Sequence, residues 1–122
     1  MLKYFMRIKH YSSLIFLFTI LIGCKKLDLL FDVPDCIEKE IGEFAESPFA
    51  CDSNAQVLRY DFQDSQVFLF QPGNCGADLS EKVYDCDCNL ICTLGGLEGN
   101  NICDSLDFNE YATNKVIVWK NQ

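Results

Sequence analysis

The sequence predicts an α+β fold, in which one N-terminal amphipathic helix packs on an antiparallel sheet of about five strands stapled by disulfides. Three observations support this prediction. Apolar residues recur at helical spacing over 37–45, and the period changes to two over 57–62. Turn residues then separate short strand segments at hairpin spacing. Finally, seven cysteines follow Cys24 in a chain that buries only a modest core, as in exported domains that depend on disulfides.

The helix is predicted over 36–46, with Asp35 directly before it. Its apolar face is formed by Ile37, Ile41, Phe44 and Ala45. Asp35 is predicted as the residue that caps the first free amides, with Glu38 reaching back in a capping box. Ser47-Pro48 ends the predicted helix, and Gly42 in its middle lowers its helix propensity.

The strands are predicted as two hairpins and a last strand. The first hairpin joins 57–62 to 66–70 through Gln63-Asp64-Ser65, with Leu58, Tyr60 and Phe62 on one side of its first strand. The second joins 82–85 to 90–94 through residues 86–89. A glycine-rich loop over 95–101 follows, Ser105 is expected to cap a short helix over 106–111, and residues 115–119 close the sheet.

The first 23 residues have the features of an export signal. A basic start with Lys3, Arg7 and Lys9 precedes an apolar run over 14–22. This run is too short to cross a hydrocarbon core, which takes about twenty residues. At its end, Leu21-Ile22-Gly23-Cys24 resembles a lipobox, which implies cleavage before Cys24 and acylation of that cysteine, with palmitate as an expected chain. The alternative is a buried helix followed by a cysteine by chance, but a core helix is rarely apolar on every face.

The predicted organisation is therefore a signal peptide (1–23), a lipid-anchored tether (24–34) and one cysteine-rich α+β domain (35–122). Without the signal, seven basic residues face eighteen acidic ones, a net charge of about −11 that argues against nucleic acid as a partner. An Asp directly after the lipidated cysteine would favour retention in the inner membrane. This position holds Lys25 instead, which favours the outer membrane but does not indicate which leaflet carries the protein. The tether is unusually apolar, and its Leu and Phe side chains either dock on the domain or lie at the bilayer surface.

The cysteines behind Cys24 are odd in number. Three bridges would leave one thiol over, and their spacing does not select a pairing. Four segments resemble a family of small envelope lipoproteins whose shared domain is of unknown function. They are Asp35-Cys36-Ile37, Cys75-Gly76-Ala77-Asp78, Cys88-Asn89-Leu90-Ile91-Cys92-Thr93-Leu94-Gly95-Gly96 and Gly99-Asn100.

The resemblance spans Val33 to Trp119 and implies no reaction. It implies that the glycines and most cysteines are framework residues, with Cys86 outside the pattern. Cys86 is therefore the candidate free thiol. The disulfide candidates are then Cys36, Cys51, Cys75, Cys88, Cys92 and Cys103.

Little catalytic chemistry is open to this chain. Its only histidine, His10, lies in the predicted signal, so the mature protein would have no Ser-His or Cys-His pair and no His-ligated metal. Asp85-x-Asp87-x-Asn89 matches the start of a calcium loop but lacks the following glycine and the last glutamate, which favours a hairpin turn. We predict no catalytic residue, no metal ligand and no cofactor.

The expected function is that of a lipid-anchored envelope lipoprotein with a non-enzymatic binding or accessory domain. Its expected partners are the membrane, through acyl chains on Cys24, and an envelope protein or glycan, which aromatic side chains would contact if the sheet has an open face. The alternative is a metal-binding or thiol-redox lipoprotein that uses Cys86, Cys88 and Cys92.

Overall fold

The computed structural model describes residues 27–76 and 78–122. The predicted signal peptide and Cys24 lie outside the described residues. Within them, the elements are α1 (Asp35–Glu46), β1 (Gln56–Phe62), β2 (Ser65–Gln71), β3 (Ser80–Asp85), β4 (Leu90–Gly95), β5 (Ile102–Cys103), β6 (Leu106–Asp107), α2 (Phe108–Tyr111) and β7 (Thr113–Lys120). No helix of the described part of the chain has the length and apolar character needed to span a membrane.

Five strands form one antiparallel sheet in the order β4-β3-β2-β1-β7. The first four follow one another as hairpins, and the last strand returns to pair with β1. The predicted antiparallel sheet of five strands is thus confirmed. β5 and β6 form a separate two-stranded ribbon.

Helix α1 ends at the predicted residue, Glu46, but begins one residue earlier than predicted, at Asp35. It therefore does not lie at the N-terminus of the chain, where the predicted fold placed it. The predicted capping box is also wrong, because Asp35 is already helical and Pro34 occupies the capping position without a side-chain hydrogen bond. Pro34 serves through its backbone, since its carbonyl accepts the Glu38 amide at 3.0 Å. Asp35 and Glu38 remain in the first turn, where negative charge stabilises the helix dipole.

Both faces of the sheet are covered. On one face, Ile37 and Ile41 of α1 pack on a core of strand residues, namely Val57, Phe68, Phe70, Val118 and Trp119. On the other, Phe108 packs on a second core formed by Leu58, Phe62, Val67, Leu69, Val83, Leu94 and Cys103. The open aromatic face considered above is therefore absent from the described structure, and Phe62, Phe68, Phe70 and Trp119 are buried.

The cover of the second face differs from the predicted helix over 106–111. Residues 106–107 pair in the ribbon, and only Phe108–Tyr111 is helical. Ser105 is not its cap, because Asp104 and Ser105 both have positive φ in the tight turn between β5 and β6, as hairpin geometry requires. The cap is Asp107, whose carboxylate accepts the Glu110 amide at 3.2 Å.

Three disulfides connect the elements around the sheet, as the prediction of a disulfide-stapled domain expected. Cys36–Cys88 joins α1 to the β3–β4 turn, Cys51–Cys75 joins the two loops at the other end of the sheet, and Cys92–Cys103 joins β4 to the ribbon. Their Cα–Cα distances are 6.1, 5.4 and 5.2 Å, within the usual range for a bridge.

Candidate functional site

An apolar depression lies between α1 and β3, and we call it the helix groove. It has a volume of about 480 Å³, within the range of small-molecule and peptide sites. Its apolar lining is formed by Phe44, Phe49, Phe70, Pro72, Leu79 and Tyr84. Phe44 contacts Phe70 edge-to-face with ring centroids 5.4 Å apart, and Phe70 contacts Tyr84 in the same way at 5.1 Å. These contacts hold the rings of the groove in place.

Phe49 is the exposed part of this surface. It follows the end of α1, and 71% of its side chain is exposed, although it lines the groove. Sequence reasoning missed this residue. One feature of the sequence could have indicated its role. Phe49 is an aromatic residue between the helix-ending Ser47-Pro48 and Cys51, at a position that was not predicted to be in the core.

The rim of the groove is mainly acidic. Glu40, Glu43 and Asp78 line it, and Lys82 is the one basic residue among its lining residues. Burial raises the pKa of Tyr84, and the negative charge of Glu40 adds to the rise. The Tyr84 hydroxyl therefore stays neutral at physiological pH and remains a hydrogen-bond donor. Three acidic side chains beside aromatic rings favour the binding of a ligand that carries a cationic group on an apolar stem.

A row of polar side chains crosses the other face of the sheet at the same end. Gln56 Nε2 donates to Gln71 Oε1 at 2.7 Å, and Gln71 Nε2 donates to Glu81 Oε1 at 2.9 Å. Lys120 pairs with Gln56 on the neighbouring strand. This polar row lines a depression of about 440 Å³. Because its amides are hydrogen-bonded to each other and to Glu81, part of their hydrogen-bonding capacity is already used.

Glu81 provides a test of this row. Burial raises its pKa above 4.5, although the hydrogen bond from Gln71 opposes the rise. The folded state thus binds the proton more tightly than the unfolded state, so ionised Glu81 costs stability as pH rises through the raised pKa.

We expect E81Q to be more stable than the wild type at pH 7, by less than about 1 kcal/mol because the group is only half-buried. This advantage should vanish below the unfolded-state pKa of about 4.5, where both states are protonated. Urea unfolding at pH 7 and pH 3.5 measures both effects. E98Q, at an exposed position, is the matched control and should change little at either pH. An E81Q variant that is less stable at pH 7 would contradict the expected sign.

The β3–β4 turn contains the acidic motif and the odd cysteine. The Asp85 carboxylate accepts the backbone amides of Asp87 at 2.9 Å and Asn89 at 2.8 Å, as well as the Asn89 side-chain amide at 3.1 Å. These hydrogen bonds lower the pKa of Asp85. The carboxylate thus stabilises the turn, and no group of residues suited to hold a metal ion is found in the described part of the chain.

The structure separates the three cysteines of the proposed metal or redox cluster. Cys88 is bonded to Cys36 and Cys92 to Cys103, so neither carries a thiolate in this form. Cys86 is the one free cysteine of the described residues and is half-buried, with its sulfur 3.5 Å from the Gln66 carbonyl oxygen. Burial raises the pKa of Cys86, and the charges of Asp85 and Asp87 raise it further. The protonated thiol is a weak nucleophile and a weak metal ligand at neutral pH.

Comparison with known proteins identifies the domain but no activity. Residues 43–121 match a protein family described as a domain of unknown function, DUF6970. The match begins inside α1 and contains the whole five-stranded sheet. A search of curated proteins returns no match, and a search of solved structures returns none either. Since the match covers more than half of the chain, this protein belongs to the DUF6970 family of domains of unknown function.

Proposed function

We propose that this protein is a lipid-anchored lipoprotein of the bacterial envelope, attached through Cys24 to the outer membrane, and that its domain binds a partner without catalysis. The helix groove is the observation that carries the binding role. It combines fixed aromatic rings, an exposed Phe49 and an acidic rim. The lipobox resemblance and the apolar run before it support the anchor.

The groove supports a polypeptide partner with basic side chains. The acids Glu40, Glu43 and Asp78 outnumber Lys82 at its rim, so the field at the groove is negative. A Lys or Arg side chain would lay its aliphatic stem on Phe44 and Tyr84 while its charge meets the acids. The polar row is less suited to this role, because its side chains satisfy one another.

No nucleophile paired with a base occurs among the described residues that line the groove, which supports a binding role. The Ser47 hydroxyl donates to the Phe44 carbonyl oxygen at 2.7 Å, and the chain beyond residue 10 contains no histidine to act as its base. The metal-binding or thiol-redox alternative gains no support from the oxidised cysteines or from the raised pKa of Cys86.

A photo-crosslinking amino acid at position 49 of the full-length protein tests the binding role in intact cells. We expect a discrete adduct with one envelope protein. The matched control carries the same crosslinker at position 97, where Leu97 is even more exposed but lies outside the groove. Charge reversal at the rim with E43K/D78K should reduce the adduct about tenfold, because a basic partner would then be repelled. Equal adducts at positions 49 and 97, or an adduct insensitive to the rim charges, would contradict the proposal.

A further inference from the structure

The segment before α1 is packed on the domain, although the sequence reads it as a tether. Leu27, Leu29 and Val33 contact the core that α1 covers. The Leu30 amide donates to the Val118 carbonyl oxygen at 2.9 Å, which adds the segment to the outer side of the edge strand β7. A backbone hydrogen bond and three packed side chains make this segment part of the fold. It is therefore not a free spacer.

Docking of this segment leaves almost no chain between the domain and the proposed anchor. Only Lys25 and Lys26 separate Cys24 from Leu27. Even if fully extended, the chain from Cys24 to Leu27 spans about 10 Å. The headgroup region on each side of a bilayer is itself about 5–8 Å thick. If Cys24 carries acyl chains, residues 27–31 must therefore lie at the bilayer surface.

The side chains that the segment exposes are suited to that position. Leu30 is 58% exposed and Phe31 51% exposed, although both are large and apolar. The Arg59 guanidinium lies over the Phe31 ring, 5.9 Å from its centroid, and supports it from the sheet side. Apolar side chains of this kind enter the boundary between headgroups and acyl chains.

The charges around this surface nearly balance. In the sequence, Lys25 and Lys26 directly precede this segment, and together with Arg59 they are opposed by Asp28 and Asp32, which are both exposed. Simple attraction to anionic lipid is therefore weak here. Insertion of the Leu30 and Phe31 side chains into the bilayer is then the main interaction between this surface and the membrane.

We infer that Leu30 and Phe31 form a membrane seat, which holds the domain directly on the lipid bilayer with the β7 edge towards it. This inference rests on the proposed acylation of Cys24. It also limits the possible partners of the helix groove. A domain without a free spacer reaches only partners that lie at the membrane surface.

The test places a tryptophan in the seat of the full-length protein. F31W is extracted from membranes, its intact mass is measured to establish acylation, and it is reconstituted in phosphatidylethanolamine–phosphatidylglycerol vesicles containing lipids brominated on their acyl chains. The wild type, whose single tryptophan Trp119 is buried, is measured in the same vesicles, and its emission is subtracted from that of each variant. The control is L97W, which follows β4 at the opposite edge of the sheet, about 19 Å from β7 across four strand spacings.

Bromine should quench the added emission of F31W about twofold or more, because an inserted ring lies at the acyl-chain boundary. L97W should be quenched by less than about a tenth, since its residue faces water far from the bilayer. Acylated F31W that is quenched no more than L97W would overturn the membrane seat while leaving the anchor intact. A mass without acyl chains would instead refute the proposed lipoprotein, and the seat with it.

Discussion

Replacing Cys24 with serine should abolish the incorporation of labelled palmitate and remove the protein from the outer-membrane fraction. The proposed attachment depends on one sulfur atom, because a serine hydroxyl does not serve the lipid transfer that precedes cleavage at a lipobox. Each methylene buried in the bilayer contributes about 0.8 kcal/mol, so several acyl chains together hold the protein firmly where one chain binds only marginally. Loss of these chains should therefore remove the protein from the outer-membrane fraction.

Mass spectrometry gives this experiment a second readout. The C24S variant should accumulate as a precursor that retains residues 1–23, since cleavage follows lipid transfer. C86S is the matched control, because Cys86 is the free cysteine of the described residues, and it should be labelled and cleaved like the wild type. If palmitate labelling persists in C24S, or disappears in C86S, Cys24 is not the attachment site.

Removing the Cys36–Cys88 bridge should destabilise the domain by about 2–5 kcal/mol, the usual loss for a native disulfide in a small exported domain. This bridge ties α1 to the β3–β4 turn across a sequence separation of 52. A helix of twelve residues is only marginally stable on its own. Loss of the bridge should therefore loosen α1 and with it the wall of the helix groove that contains Phe44.

The comparison with a second bridge makes this prediction sharper. Cys92–Cys103 closes a separation of only 11 residues, so loop-closure entropy predicts that C36S/C88S loses about 1 kcal/mol more than C92S/C103S. Guanidinium unfolding without reductant measures both variants, with C86S as the control, which should stay within about 0.5 kcal/mol of the wild type. Equal losses for the two bridges, or no loss for C36S/C88S, would show that the Cys36–Cys88 bridge does not constrain the chain as the structure indicates.

The local pattern of the sequence was enough to locate the main elements. Helix α1 and the strands β1, β2, β3, β4 and β7 lie where the apolar periods placed them. Leu58, Tyr60 and Phe62 do share one face of β1: Leu58 and Phe62 belong to the second core, and Tyr60 packs against it. These features depend on the spacing of side chains along a few turns or residues, which a single sequence records directly.

The predictions of the two helix caps were wrong because a competing local interaction was not foreseen. Asp35 was expected to cap α1, but Pro34 takes the capping position through its carbonyl. Ser105 was expected to cap a helix, but Asp104 and Ser105 instead form the tight turn of the ribbon with positive φ. In both cases a residue had two compatible local roles, and packing of the neighbouring segment selected between them.

The candidate site could be anticipated only in part. The segments 66–70 and 82–85, which contain Phe70 and Tyr84, were predicted as strands. Their meeting with Phe49 and Asp78 in one groove depends on how α1 packs on the sheet and on where the segments that contain Phe49 and Asp78 lie. These depend on contacts between segments far apart in the chain, which no local period encodes.

The sequence by itself predicted an export signal with a lipobox, and it determined the alternation of helix and strands, the acidic charge and the absence of histidine beyond residue 10. Only the tertiary structure decided which cysteines pair, that the ribbon and α2 cover the second face, and that residues 27–33 dock against β7. The physical reason is the range of the interactions. Local conformation follows from neighbouring residues, whereas bridges, covered faces and grooves arise only when distant segments compete for the same apolar surface.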